Sequence, residues 1–115
     1  MAIQDKFNKE NHIYKITKDI DLEDGELVIP AGCTLDFQGG SFSNGTITGN
    51  NTTIKAGLEQ IFSESVILNG TWNVTEAYPE WFGAKGDKKI DDYNAVQNCI
   101  NYFPYIVIIE TSPLL

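Results

Sequence analysis

The sequence contains no arginine, one histidine (His12), one methionine and two cysteines. Each shortage excludes something. Without arginine there is no planar fork to clamp a phosphate or carboxylate. All eight basic residues are lysines, and sixteen acidic residues leave a net charge of −8. Nucleic-acid binding through phosphates needs a basic face, so no nucleic-acid partner is expected. His12 is the sole imidazole and no Cys-x-x-Cys pair exists, which argues against a metal site and against any other cofactor. Cys33 and Cys99 are expected to be buried free thiols; a disulfide between them is the alternative. No nucleophile has an evident base beside it. No apolar run approaches the ~18 residues of a membrane-spanning helix, so no membrane partner is expected. The opening Met1-Ala2-Ile3-Gln4-Asp5-Lys6 lacks the basic-then-apolar pattern of a secretion signal.

What is present is the material of one domain, or of a small domain with an appendage. The chain has 115 residues, 42% of them hydrophobic and 11% aromatic, enough to bury a core. Its charge is uneven: residues 1–26 carry −3, residues 27–57 carry 0 and residues 58–115 carry −5. Residues 1–26 read as an N-terminal strand or arm. A partial alternation runs through His12–Thr17, and Asp24-Gly25 is a turn dipeptide that could close a hairpin between residues 13–22 and 26–29.

Residues 27–75 are the most informative stretch. Short β-branched or aromatic runs (Leu27–Ile29, Cys33–Phe37, Thr46–Thr48, Thr52–Lys55, Val66–Leu68, Thr71–Val74) alternate with Gly, Asn and Ser. Apolar residues sit at alternate positions, as in Leu35 with Phe37 and Val66 with Leu68, so one face turns inward. The fold class is therefore mainly β, and two architectures compete. One is a short-stranded β-solenoid, in which each strand stacks on its equivalent in the next coil. The other is a small β-sandwich built from hairpins, with Asn44-Gly45 and Asn69-Gly70 as tight turns.

Residues 76–115 read as an aromatic connector, a short α-helix over about 91–102 and a terminal strand. Asp91 or Asp92 can cap the helix. Ala95, Val96, Cys99, Ile100 and Phe103 supply its apolar stripe, and Pro104 stops it. Tyr105-Ile106-Val107-Ile108-Ile109 reads as a buried strand in want of a partner surface.

Four aromatic residues, Trp72, Tyr78, Trp81 and Phe82, could stack on sugar rings, whose C–H faces are apolar; alternatively they cover an open end of the β core. Asp87, Asp91 and Asp92 form the densest acidic cluster, a cation or acid–base pair on one reading and a helix cap with a solvated turn on the other. The glycines at 39, 40, 45 and 49 lack the Lys-Ser/Thr of a phosphate loop and read as β turns. Asn44, Asn51, Asn69 and Asn73 begin Asn-x-Ser/Thr sequons and read as turn asparagines.

The run Glu80-Trp81-Phe82-Gly83-Ala84-Lys85-Gly86-Asp87, followed by Asp91-Asp92-Tyr93-Asn94-Ala95-Val96-Gln97, resembles the opening motif of pectate-lyase-like, right-handed parallel β-helix proteins. That family includes phage tail spikes and bacterial polysaccharide-degrading enzymes. Upstream, Ile29-Pro30-Ala31-Gly32-Cys33-Thr34-Leu35-Asp36-Phe37-Gln38-Gly39-Gly40 through Trp72 resembles the N-terminal β module of tail-fibre and spike-like proteins of gut Bacteroidales and their phages. Lys88 stands where the motif has glycine, and Tyr93 where it has threonine. In the family, a strand such as Tyr105–Ile109 opens the first coil of a long β-helix that carries any catalytic acids, and this sequence lacks those coils. The resemblance thus implies no catalytic residue here. It implies a non-catalytic structural or adaptor module of a tail fibre or tail spike in a virion. Such a module would form a homo-oligomer, most economically a trimer through residues 105–109, or attach to other tail proteins. The alternative is a carbohydrate-binding module or enzyme fragment at the surface of a gut bacterium or outside it, meeting a surface glycan through Trp72, Tyr78, Trp81 and Phe82.

Overall fold

A computed structural model describes residues 2–84 and 90–103. The short apolar runs form seven strands: β1 (Ile13–Ile16), β2 (Asp19–Asp21), β3 (Glu26–Val28), β4 (Thr34–Phe37), β5 (Ser41–Ser43), β6 (Gly45–Lys55) and β7 (Val66–Asn73). A 3-10 turn (Ala2–Lys6) precedes them. A second 3-10 turn (Pro79–Phe82) and the helix α1 (Ile90–Tyr102) follow. The fold is mainly β, as the sequence leads one to expect.

Every named strand pair is parallel. β1 pairs with β4, β4 with the end of β6, β3 with the start of β6, β6 with β7, and β2 with β5. The partners recur at a near-constant separation: Ile13 faces Thr34, 21 residues on; Thr34 faces Thr53, 19 on; Leu27 faces Ile47, 20 on; Ile47 faces Leu68, 21 on. An isolated bridge joins Phe42 to Phe62, 20 on. The sheet curls because β6 serves two neighbours around a bend, where its register to β7 shifts between Gly49 and Thr52.

This pairing replaces the hairpins expected from the turn dipeptides. A two-residue type I′ hairpin needs positive φ at both central residues. Asn44 has φ 55 while Gly45 is not left-handed, and Gly70 has φ 82 while Asn69 is not. Near Asp24-Gly25 the turn lies one residue earlier. Glu23 and Asp24 are both left-handed, and Gly25 N donates to Leu22 O at 2.8 Å. Even so, β2 and β3 do not pair with each other; each pairs with the strand about twenty residues on. Left-handed residues mark the corners. Asn11, Gly32 and Asn51 recur at one of them, tied by Asn11 N to Ala31 O at 2.9 Å and Gly32 N to Asn50 O at 3.1 Å.

The inward rows stack like on like. Leu27, Ile47 and Leu68 form one, and Leu35 sits between Tyr14 and Ile54 in another. An aromatic column runs through the core: Phe7 to Phe42 at 6.3 Å between ring centres, Phe42 to Phe37 and Phe37 to Phe62 at 5.8 Å, and Phe62 to Phe82 at 5.5 Å. Such pairs contribute roughly 0.5–1.5 kcal/mol each beyond burial. In the segment read as a strand or arm, β1 supplies Ile16 to this core and β2 packs the partly buried Ile20 against it.

α1 matches the expected helix to within a residue at its start. Ala95, Cys99 and Phe103 are buried, one turn apart, whereas Ile100 from the expected stripe is exposed. Both cysteines are buried and free, with no disulfide. Asp87 and the expected strand Tyr105–Ile109 lie outside the described residues.

Candidate functional site

The four aromatic residues proposed for sugar stacking occupy three different settings. Trp81 is 2% exposed and Phe82 4% exposed. The indole of Trp81 donates from Nε1 to Gly57 O at 3.0 Å, and Ile61 N and Phe62 N both donate to Trp81 O at 3.0 Å. Phe82 stacks on Tyr102 at 5.8 Å and lies 6.4 Å from Phe103, both from the C-terminal end of α1. These two rings seal the end of the β core against the helix and offer no face to a sugar in this arrangement. Pro79 helps form the 3-10 turn that aims them inward, with its missing N–H where a helix start needs none.

Tyr78 is half-buried, edge-on to Trp81 at 5.6 Å, and its hydroxyl donates to Glu76 Oε2. Trp72 is half-buried at the end of β7. Its Nε1 donates to Asn69 O at 2.9 Å, and its ring lies so close over Gly49 that a Cβ there would sit 2.6 Å from it. The four residues therefore form no common platform: two are core, and Trp72 and Tyr78 alone keep accessible surface.

Cys99 is buried beneath the same aromatic seal, and its thiol is pushed up to about 12, first by burial and then by the charge of Glu80. A thiol held neutral in this way is a poor nucleophile near neutral pH. Among the described residues, no group of three His, Cys, Asp or Glu side chains is placed to hold a metal ion.

At the other end of the core lies a feature that sequence reading missed. A cavity of about 210 Å³ opens between the first 3-10 turn and the β1–β2 corner, lined by Ile3, Lys6, Phe7, Tyr14, Lys15, Ile16, Thr17, Lys18 and Ile20. Its floor is apolar and its rim carries three lysines. The signal was present in the charge pattern. Residues 1–18 hold four of the eight lysines against only Asp5 and Glu10, but the acids at 19–26 mask this in the sum for residues 1–26.

Residues 2–9 form the lid that defines this end. Gln4 bonds β3, Phe7 packs 4.7 Å from Tyr14, and the Tyr14 hydroxyl donates to Lys9 O at 3.1 Å while accepting from Lys9 N at 3.0 Å. The Cys33 thiol donates to Lys9 O at 3.2 Å. The sheet edge at β3 is thus covered, while β1 and β2 each have a single strand partner among the described residues.

Comparison with known proteins returns no matching family model, no matching curated protein and no matching solved structure.

Proposed function

We propose that the chain is a short β-solenoid that serves as a non-catalytic structural or adaptor module of a tail-fibre- or tail-spike-like protein, self-associating or attached to other tail proteins in a virion. The all-parallel pairing with a return of 19 to 21 residues along β1, β4 and β6 is the observation that carries the reading. A coil of that size cannot bury its inner face alone and does so by stacking on the next. The ends of such a stack need covers. Residues 2–9 supply one, and the Trp81–Phe82 turn with α1 supplies the other, where the sequence resembles a β-helix opening motif. An outward face formed by Glu26, Val28, Thr46, Thr48 and Ile67 on β3, β6 and β7 carries one charge, on Glu26, which accepts from Thr48 Oγ1, and Ile67 is 52% exposed. That face offers a surface on which copies could pack, a trimer being the economical closed form. The burial of Trp81 and Phe82 weighs against a glycan-stacking module.

Light scattering coupled to size exclusion tests this reading. A mass three times 12.8 kDa, lowered by Ile67→Lys, supports it. A mass of one chain at high concentration, together with glycan binding that quenches Trp72, would move the assignment to carbohydrate recognition.

A further inference from the structure

We infer that the lysine-rimmed groove at the first strands binds an extended acidic peptide segment of a partner protein, anchored by one large apolar side chain. Three observations carry this. First, the groove's charge opposes that of the chain. Lys6, Lys15 and Lys18 rim it in a molecule of net charge −8. Two acids of the same corner are held by other partners. Asp19 accepts from Ser41 Oγ at 2.8 Å and Ser43 Oγ at 3.3 Å, and Asp21 Oδ1 accepts from Glu23 N at 2.8 Å. Asp36 neighbours Lys15 in register and Asp5 adjoins Lys6 in the first 3-10 turn, so Lys18, whose chain neighbour Asp19 is held by Ser41 and Ser43, carries the least compensated charge. An acidic partner gains from this field and a basic one is repelled.

Second, the size fits a side chain better than a free ligand. The floor of Ile3, Phe7, Ile16 and Ile20 bounds about 210 Å³, below the roughly 300–1,000 Å³ of pockets that enclose whole small molecules. Third, the backbone beside it is an open template. β1 and β2 are edge strands, each with one partner among the described residues, and an extended segment can add to such an edge by main-chain hydrogen bonds. By contrast, the β3 edge is occupied by the Gln4 amide. The groove is therefore a gap in the cover of this end, with a chemistry of its own. This inference does not depend on self-association.

The test is an amide-resolved NMR titration of the full chain with the blocked pentapeptide Glu-Asp-Leu-Asp-Glu. Shifts confined to residues 3–7 and 14–20 are expected. Lys6→Glu combined with Lys18→Glu should weaken binding about tenfold or more, since each reversed contact removes an attraction and adds a repulsion. Replacing the peptide's central Leu by Ala should weaken it as well. Both lysines are exposed, and the milder Lys6→Gln with Lys18→Gln pair keeps the test valid if charge reversal disturbs folding. The inference is overturned by any of four results: no shifts at millimolar peptide, equal binding to the variants, equal binding of Lys-Lys-Leu-Lys-Lys, or concentration-dependent shifts at the same residues without peptide. The last would place a second copy in the groove.

Discussion

Gln4 and Val28 exchange two hydrogen bonds across 24 residues of sequence: Gln4 Nε2 donates to Val28 O at 2.8 Å, and Val28 N donates to Gln4 Oε1 at 2.8 Å. A side-chain amide here does what a neighbouring strand would do. It satisfies both main-chain groups of Val28 at an edge that another chain could otherwise extend. Gln4→Ala removes both bonds and Gln4→Glu removes the donor. Because the site is exposed, we expect losses of about 1–2 kcal/mol for Ala and about half that for Glu, read from urea unfolding. Faster hydrogen exchange at the Val28 amide should accompany the Ala variant, and unchanged exchange there would show that the pairing contributes no protection.

Gly70 and Gly57 should respond in opposite ways to alanine. Gly70 has φ 82, and a Cβ there would lie 2.1 Å from Gly49 O on the neighbouring strand, whereas nothing lies within 4 Å of a Cβ at Gly57. Gly70→Ala is expected to cost about 1–3 kcal/mol or more through strain and the backbone clash. Gly57→Ala is expected to stay within about 0.5 kcal/mol of the wild type. Thermal unfolding of the two variants side by side distinguishes the outcomes.

These positions also show what was legible in the sequence. The helix could be read because Asp91 and Asp92 precede a stripe at Ala95 and Cys99 and a proline follows; the structure places α1 at Ile90–Tyr102. The strands could be read from β-branched alternation, as in Thr34–Phe37. Their partners could not. A parallel neighbour lies about twenty residues away, and nothing local to Leu27 names Ile47 as its neighbour. The local signals pointed the wrong way, because Asn-Gly is favoured wherever a single left-handed residue is needed, whether in a hairpin or at a corner between strands. The aromatic connector was legible as a cover, but which rings lie inside was not. Trp81 and Trp72 are equally apolar, and only the 3-10 turn at Pro79–Phe82 buries one and leaves the other at the rim.

The two tryptophans should therefore behave differently. Acrylamide should quench Trp72 readily and Trp81 poorly, as shown by comparing Trp72→Phe with Trp81→Phe. Trp81→Ala removes a buried ring and leaves Gly57 O without its indole donor, at an expected cost of about 3–5 kcal/mol. Equal quenching of both indoles would contradict the buried seal.

Cys99 carries a pH signature. Its thiol is raised from 9.0 to about 12 in the folded chain. Above the unfolded pKa the unfolded state loses this proton while the folded state keeps it, so the unfolded state binds fewer protons and stability falls as pH rises. The contribution is complete below about pH 9 and is lost progressively toward pH 12. Denaturant unfolding across that window should show the decline, reduced in Cys99→Ala. At pH 8 the native chain should leave Cys99 unlabelled by iodoacetamide, with labelling appearing only on unfolding.

The chain returns to the same place about every twenty residues, and methyl contacts measured by NMR test this return most directly. Ile47 lies in register between Leu27 and Leu68. The expected result is nuclear Overhauser contact from the Ile47 methyls to both leucines, with Phe42 ring protons likewise touching Phe62, its bridge partner. Absence of the Leu27 and Leu68 contacts, with Ile47 instead touching residues across a tight turn at Asn44-Gly45, would contradict the stacked arrangement and the function proposed from it.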